Sequence, residues 1–254
     1  GWASLGGVPA SGLALRGGTG PATVLDGRFG LLPTHLDEEQ YDLSALTADL
    51  GEVWETMAVA IKPYPACHCT HTVLDALRLI IEATGIGADD VETIVCRVPS
   101  EVAVRLVLEP SERKQTPSNP YDAKFSLPFT VGNMLVHDRV GVESFTSEAI
   151  ADPNVLAVAA RVDYEVRPFD QGNADLAGAI TVRTRDGREL YEEVLVPRGG
   201  SANPMNADEI REKFRLNASL ALPDADVDAL IDAFEGLETD GAGPIGALLA
   251  RARG

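Results

Sequence analysis

The chain has 254 residues, of which 45% are hydrophobic, and a formal net charge of −18 at pH 7. It can bury a sizeable core in one large or two modest domains, and no apolar window is long enough to predict a membrane span. So acidic a surface repels nucleic acid and anionic lipid, which excludes both as expected partners. Three cysteines do not predict a disulfide framework, so a reducing cytoplasm is the expected location.

The N-terminal part of the chain is predicted to be helical and rich in turns. Residues 1–30 abound in Gly, Ala and Pro, which favour short helices and turns. An amphipathic helix is predicted to begin near the start of residues 43–61, which run into an apolar stretch ending at Lys62. Pro63 and Pro65 then favour an extended backbone.

The clearest predicted helix starts near Thr72 and ends at Gly85, which is a good C-cap. Thr72 and Asp75 have nearly the spacing of a capping box. Its apolar stripe has helical period and comprises Val73, Leu74, Leu77, Ile80 and Ile81. Residues 89–99 then alternate in polarity and predict a strand.

The rest of the chain predicts further helices and one hairpin. A helix over residues 121–138 contains Pro128, which predicts a kink or a late start. The hairpin spans residues 178–197 and turns at Asp186-Gly187. Further helices are predicted over residues 142–150, 152–162, 207–222, 224–238 and 244–253. The predicted fold class is therefore α+β, with helical ends and a small, mainly antiparallel sheet in the middle.

The segment "IKPYPACHCTH" (residues 61–71) combines a lysine, two cysteines and two histidines. Zinc would use such side chains, but C-x-C has no distant second pair of ligands, so no metal is expected. A thioredoxin-like redox pair requires C-x-x-C. Cys67 and Cys69 could instead pack as small hydrophobic residues beside a structural His68 and His71.

A binding interpretation of the same segment rests on charge. Lys62 follows an apolar run, where its ammonium group would act more strongly on an anion than it does in water. The histidines lie where the predicted helix begins, and a helix N-terminus favours anions. Together these groups predict a pocket for a substrate that carries carboxylates.

"KPYPACHCTH" and the helix after it resemble the central motif of the MmgE/PrpD family. Other stretches resemble the same family in the same order: "GGTGPATVLDGRFG", "AKFSLPFTVGNML", "DPNVLAVAARVDYEV", "TVRTRDGRELYEEV" and "PRGGSANPMNADEIREKF". The resemblance covers essentially the whole chain. It implies a helical domain formed by residues 1–62 and 201–254, and a smaller α+β domain formed by residues 63–200.

The resemblance also implies an activity. The family acts on small di- and tricarboxylates without a cofactor, by removing a proton next to a carboxylate. Five residues match positions at the family's substrate pocket: Lys62, Cys67, His71, Lys124 and Ser126. Decarboxylating members have histidine at the position of Cys67, so the cysteine argues against decarboxylation. The loop "PRGGSANP" lacks both common phosphate-binding motifs and is interpreted as a crossover between domains.

The predicted function is therefore dehydration of a hydroxy-tricarboxylate such as 2-methylcitrate, in a homodimer. Epimerisation of a dicarboxylate is the alternative enzyme, and a non-catalytic carboxylate-binding fragment is the alternative of another class. The family's principal acid/base residues lie upstream of every matched stretch, so the catalytic residues are expected outside this sequence. The sequence opens at Gly1 without methionine, so a fragment or a processed chain is expected.

Overall fold

The computed structural model describes residues 1–37, 41–171, 175–241 and 243–251. The chain forms two compact units, residues 1–55 and residues 56–254. The first unit contains helix α1 (Trp2–Leu15) and helix α2 (Leu31–His35). Short 3₁₀ turns at Leu43–Leu46 and Glu55–Ala58 stand where an amphipathic helix was predicted. The predicted division at residues 62 and 200 stays a prediction.

The second unit contains a four-stranded sheet and the remaining helices. Its helices in chain order are α3 (His71–Thr84), α4 (Glu101–Val107), α5 (Ser111–Gln115), α6 (Pro120–Ala123), α7 (Leu127–His137), α8 (Pro153–Ala159), α9 (Ala207–Ala218), α10 (Asp224–Glu235), α11 (Leu237–Asp240) and α12 (Gly243–Arg251). Most predicted helices are present, but residues 142–150 form two 3₁₀ turns. Within the part of the chain that the structure describes, no helix is long and apolar enough to cross a membrane.

The sheet has the order β2-β1-β3-β4 and is mixed, so the prediction of a mainly antiparallel sheet was wrong. Its strands are β1 (Val91–Val98), β2 (Val162–Val166), β3 (Gly178–Thr184) and β4 (Glu189–Val194). The β3–β4 hairpin and the β1–β3 pair are antiparallel, whereas β2 lies parallel to β1. The chain returns to β2 through helices α4 to α8, and such a crossover connection permits parallel pairing.

Helix α3 lies on the sheet and forms the centre of the core. Val73, Leu74 and Leu77 are fully buried, as the helical period predicts, and Gly85 ends the helix with a φ of 70°. The predicted capping box does not form. Thr72 donates instead to the carbonyl of Leu176 at 2.7 Å, and Asp75 is buried among polar partners.

Helix α7 begins late, which was one of the two predictions made from Pro128. The proline lies in the first turn, where its missing N–H costs nothing. The Ser126 hydroxyl caps the helix by accepting a hydrogen bond from the Phe129 N–H at 3.0 Å. Almost every residue from Leu127 to Leu135 is buried, so α7 joins α3 in the core.

A buried polar network around Asp75 fixes the segment that precedes α3. The Tyr64 hydroxyl donates to Asp75 Oδ1 at 2.8 Å, and Arg198 Nε donates to the same oxygen at 3.3 Å. The Arg198 backbone N–H donates to Asp75 Oδ2, and its guanidinium also pairs with Glu209 of α9. Burial and the Asp75 carboxylate raise the pKa of Tyr64. The network joins the Tyr64 segment, α3 and the start of α9.

Gly199 allows the loop after β4 to pass close to the backbone next to Lys62. The Ile61 N–H donates to the Gly199 carbonyl at 2.8 Å. Gly199 has a φ of 99°, and a Cβ atom there would overlap the carbonyl oxygen of Ile61. Glycine is therefore required twice, for its backbone angle and for its lack of a side chain.

Gly199→Ala should lower the free energy of unfolding by about 1–3 kcal/mol more than Gly187→Ala does. Both glycines have positive φ, but a Cβ atom at Gly187 would meet nothing within 4 Å. The difference between the two variants, measured by urea denaturation, therefore isolates the clash with Ile61. Equal losses would contradict the close approach.

Asp75→Asn should destabilise the protein by about 3 kcal/mol, because it removes the charge that compensates Arg198 in a largely buried pair. Glu82→Gln is the matched control, since it breaks the exposed pair of Glu82 with Arg78. That change should stay within about 0.5 kcal/mol. A loss at Asp75 no larger than the loss at Glu82 would refute the structural role of the network.

Candidate functional site

The segment from Lys62 to His71 runs extended and then turns into α3. The two prolines keep residues 62–66 out of a helix, as predicted. Residues His68–Thr70 form a single 3₁₀ turn that leads directly into α3, and Cys67 is its N-cap residue. The lysine, the two thiols and the two imidazoles are thereby gathered around the N-terminal end of α3.

Lys62 is exposed, and its ammonium group turns back over its own segment. Nζ donates a hydrogen bond to the Ala66 carbonyl at 3.1 Å, which brings the positive charge next to Cys67. The prediction placed this ammonium against an apolar wall, whereas its neighbour in the structure is a backbone carbonyl. One such bond leaves two of the three ammonium protons for a ligand.

Cys67 is half-buried and has a strongly activated thiol. Its pKa is lowered to about 6, first by a hydrogen bond from the Cys69 side chain. The Cys69 N–H and the positive charges of Lys62 and Lys114 act in the same direction, and burial opposes them. The pKa of Cys69 shifts in the opposite direction, because its interaction with Cys67 and its burial both raise it. The environment of the pair therefore favours ionisation of Cys67 over ionisation of Cys69.

Lys114 is a member of the cluster that sequence reasoning missed. Its Nζ donates to the carbonyls of Leu106 at 2.7 Å and Phe125 at 2.8 Å, and burial lowers its pKa. This lysine comes from α5, far from Lys62 in the sequence. The scarcity of lysines, only four in the chain, was the one signal that could have drawn attention to it.

Lys124 and Ser126 border the cluster and support its backbone. The Lys124 carbonyl accepts the Cys67 N–H at 2.8 Å, and its ammonium lies 5.7 Å from the centre of the Phe145 ring. Ser126 is fully buried. Its hydroxyl donates to the Lys114 carbonyl and accepts a hydrogen bond from the Phe129 N–H at the start of α7. Lys124 therefore positions Cys67, whereas Ser126 positions Lys114 and the start of α7.

The two histidines of the segment form an aromatic cluster with Tyr64. The His71 ring contacts His68 at 4.9 Å between ring centres and Tyr64 at 5.4 Å, both edge-on. His71 is fully buried, and burial followed by the nearby His68 lowers its pKa to about 3. Burial also lowers the pKa of His68, so both imidazoles are neutral at pH 7.

Neither ring nitrogen of His71 makes a hydrogen bond of good geometry to any residue that the structure describes. The Ala66 backbone lies close enough to favour the charged form, but burial outweighs it. A buried nitrogen without a partner is costly, and such groups often lie at functional sites. His68 is half-buried, whereas His71 is fully buried. His68 was not among the predicted site residues.

The charges of this cluster suit an anion. Lys62 and Lys114 are positive, the two imidazoles are neutral, and the surroundings of Cys67 favour its thiolate. Among the described residues, no three His, Cys, Asp or Glu side chains converge as metal ligands would. Cys96, the third cysteine, is buried in β1 away from solvent, and burial raises its pKa. The chemistry available here is therefore binding of a carboxylate and nucleophilic attack by a thiolate.

Comparison with known proteins matches most of this cluster, from Tyr64 onward, to a known domain type. Residues 64–239 match the family model of the MmgE/PrpD C-terminal domain. The chain is 29% identical over 241 residues to cis-aconitate decarboxylase of Mus musculus, covering 91% of this chain and 47% of that protein. It is 28% identical to the Homo sapiens enzyme, with 91% and 48% covered, and 24% identical to the Aspergillus terreus enzyme, with 79% and 42% covered. The chain thus spans about half the length of these relatives.

The alkylation rate of Cys67 by iodoacetamide should reach half its maximum near pH 6, because the thiolate is the reacting form and increases as pH rises through the pKa. Peptide mapping by mass spectrometry separates Cys67 from Cys69 and Cys96. Lys62→Met should move the midpoint to higher pH, whereas Arg183→Met, in strand β3, should not. A midpoint near the ordinary cysteine value of about 8.5 would contradict the charge arrangement.

Proposed function

Because the chain belongs to the MmgE/PrpD family, we propose that it forms the carboxylate-binding wall of a lyase that acts on small di- and tricarboxylates. The proposal rests on one observation, the positive charges of Lys62 and Lys114 around the half-buried Cys67. Cations stand out in a chain with a net charge of −18. Their convergence at the start of α3 is what a polyanionic substrate requires.

Removal of a proton next to a carboxylate places negative charge on that carboxylate, and a fixed cation lowers the cost of this charge. In the proposal, Lys62 exchanges its bond to the Ala66 carbonyl for a bond to the substrate. Lys114 has two carbonyl partners and acts through its charge. The Lys124 carbonyl holds the Cys67 backbone, Ser126 holds Lys114, and the neutral His71 is buried next to His68.

The catalytic base is proposed to come from outside residues 64–239. The neutral His71 is fully buried, and its pKa of about 3 makes it a weak base. The family resemblance places the acid/base residues upstream of the matched stretches. The activity proposed here is therefore that of the whole enzyme, to which this part contributes binding and charge.

Dehydration of a hydroxy-tricarboxylate such as 2-methylcitrate is the first candidate reaction. A cysteine at position 67, where decarboxylating members of the family have histidine, favours loss of water. Decarboxylation is the second candidate, and it is supported by the relatives named cis-aconitate decarboxylase. Both reactions begin at a carbon next to a carboxylate, so the same cation cluster serves either.

Dehydration, decarboxylation and epimerisation can be distinguished by their products. Incubation of the whole enzyme, including the part that supplies the proposed base, with 2-methylcitrate should produce a conjugated C=C–carboxylate that absorbs in the ultraviolet, with no carbon dioxide released. Carbon dioxide from cis-aconitate would select decarboxylation. Solvent deuterium entering a dicarboxylate with no other change would select epimerisation. Binding without any of these changes would select the non-catalytic alternative and overturn the lyase proposal.

Two further properties are proposed, the first from the family resemblance and the second from the cysteine content. The protein is proposed to form a homodimer and to act in the cytoplasm. Sedimentation equilibrium of the purified protein tests the first, and fractionation of the source cells tests the second.

Lys62→Met should weaken 2-methylcitrate binding about tenfold and leave the melting temperature nearly unchanged, because the exposed ammonium serves the ligand rather than the fold. Isothermal titration calorimetry measures the dissociation constant. Arg183→Met is the control, since it removes one positive charge from an exposed pair in β3. An unchanged dissociation constant in Lys62→Met would remove this residue from the site.

A further inference from the structure

Cys67 is half-buried against the hydrophobic core, and hydrogen bonds hold its backbone in place. Its N–H donates to the Lys124 carbonyl, and its carbonyl accepts from the Thr70 N–H at 3.0 Å and from the Thr70 hydroxyl at 2.8 Å. The backbone on both sides of the thiol is thus fixed. The residue is half-buried, so it is not sealed inside the core as Cys96 is.

The groups around this sulfur favour both its ionisation and a neighbouring carboxylate. The neighbouring Cys69 and the positive charges of Lys62 and Lys114 all lower the pKa of this thiol. Lys62 is anchored to Ala66, the residue directly before Cys67. A carboxylate held by these lysines would therefore lie beside the sulfur.

A second observation is a buried imidazole beside this segment that lacks a polar partner. His71 is fully buried behind the segment, and neither of its ring nitrogens has a hydrogen-bond partner among the described residues. Its ring stacks edge-on against His68, which lies next to Cys67 in the chain. A polar ligand or a bound water at the His71 ring would supply the hydrogen bond that this imidazole lacks.

The proposed reactions involve acids in which a C=C bond is conjugated to a carboxylate. In water the negative charge makes such a bond a poor electrophile. Neutralising the carboxylate with a lysine makes the β carbon more electrophilic, for the same reason that cations stabilise developing anions in active sites. A thiolate beside the same lysine is then positioned to attack.

We propose that Cys67 forms a thioether with α,β-unsaturated carboxylates bound at Lys62, so that the site is modified by molecules of the same class as its substrate or product. The inference rests on the proposed function. The sulfur electron pair forms the S–C bond at the β carbon, and the C=C π bond breaks. The α carbon takes one proton from solvent, and no oxidant or reductant is required.

Maleate is a suitable probe, because it contains two carboxylates on a cis double bond. The protein is incubated with maleate, and its intact mass and tryptic peptides are measured. One maleate should be added per chain, on Cys67. Cys67→Ser should show no addition, and its melting temperature should confirm that it is folded. Addition only at Cys69 or Cys96 would overturn the proposal.

A second experiment measures whether positive charge at the site directs the negatively charged maleate to Cys67. Dimethyl maleate is the neutral counterpart of maleate, and glutathione is a reference thiol without a pocket. The rate ratio of maleate to its diester should be at least tenfold higher at Cys67 than in glutathione. Lys62→Met should reduce the maleate rate at least tenfold, and Arg183→Met should change it less than twofold. A ratio equal to that of glutathione would overturn the proposal.

The two proposals fail in different ways. Binding of 2-methylcitrate without any maleate adduct would overturn the thioether and leave the carboxylate site intact. If 2-methylcitrate does not bind and maleate does not react, both proposals fall. Protection of Cys67 from maleate by 2-methylcitrate would support both, because the two molecules would then compete for the same lysine.

Discussion

The buried carboxylate of Asp75 is the constraint on which the rest of the site depends. A charge inside the protein must be paired and hydrogen-bonded, and here the partners come from Tyr64 before α3 and from Arg198 after β4. When α3 packs on the sheet, Asp75 therefore binds the segment before α3 and the loop after β4 to this helix. Lys62 and Cys67 follow Tyr64 into place, and Gly199 lets the returning loop lie against Ile61.

Local patterns were sufficient to predict the elements that stand next to this network. The apolar stripe of α3, the alternation in β1 and the Asp186-Gly187 turn each encode their structure within a few residues. The direction of β2 could not be predicted in this way. It pairs in parallel with β1 because of the crossover through α4 to α8, and no local signal specifies that path.

The residues of the candidate site differ in the same way: some follow from local sequence, and others depend on tertiary packing. Lys62, Cys67 and His71 belong to one continuous segment, so their proximity followed from the sequence. Lys114 joins them only through tertiary packing, and sequence reasoning gave it no role. Ser126 was expected at the pocket, but its hydroxyl is used within the fold. The depth of His71 depends on how Tyr64 and His68 close over it, which helical periodicity does not describe.

The central claim is that the Lys62–Cys67 cluster binds a substrate carboxylate. A crystal structure of the protein with bound 2-methylcitrate tests it most directly. The account predicts a carboxylate oxygen about 3 Å from Lys62 Nζ, close to Cys67, with the bond from Lys62 to the Ala66 carbonyl released. Ligand carboxylates bound elsewhere, with Lys62 still donating to Ala66, would contradict it.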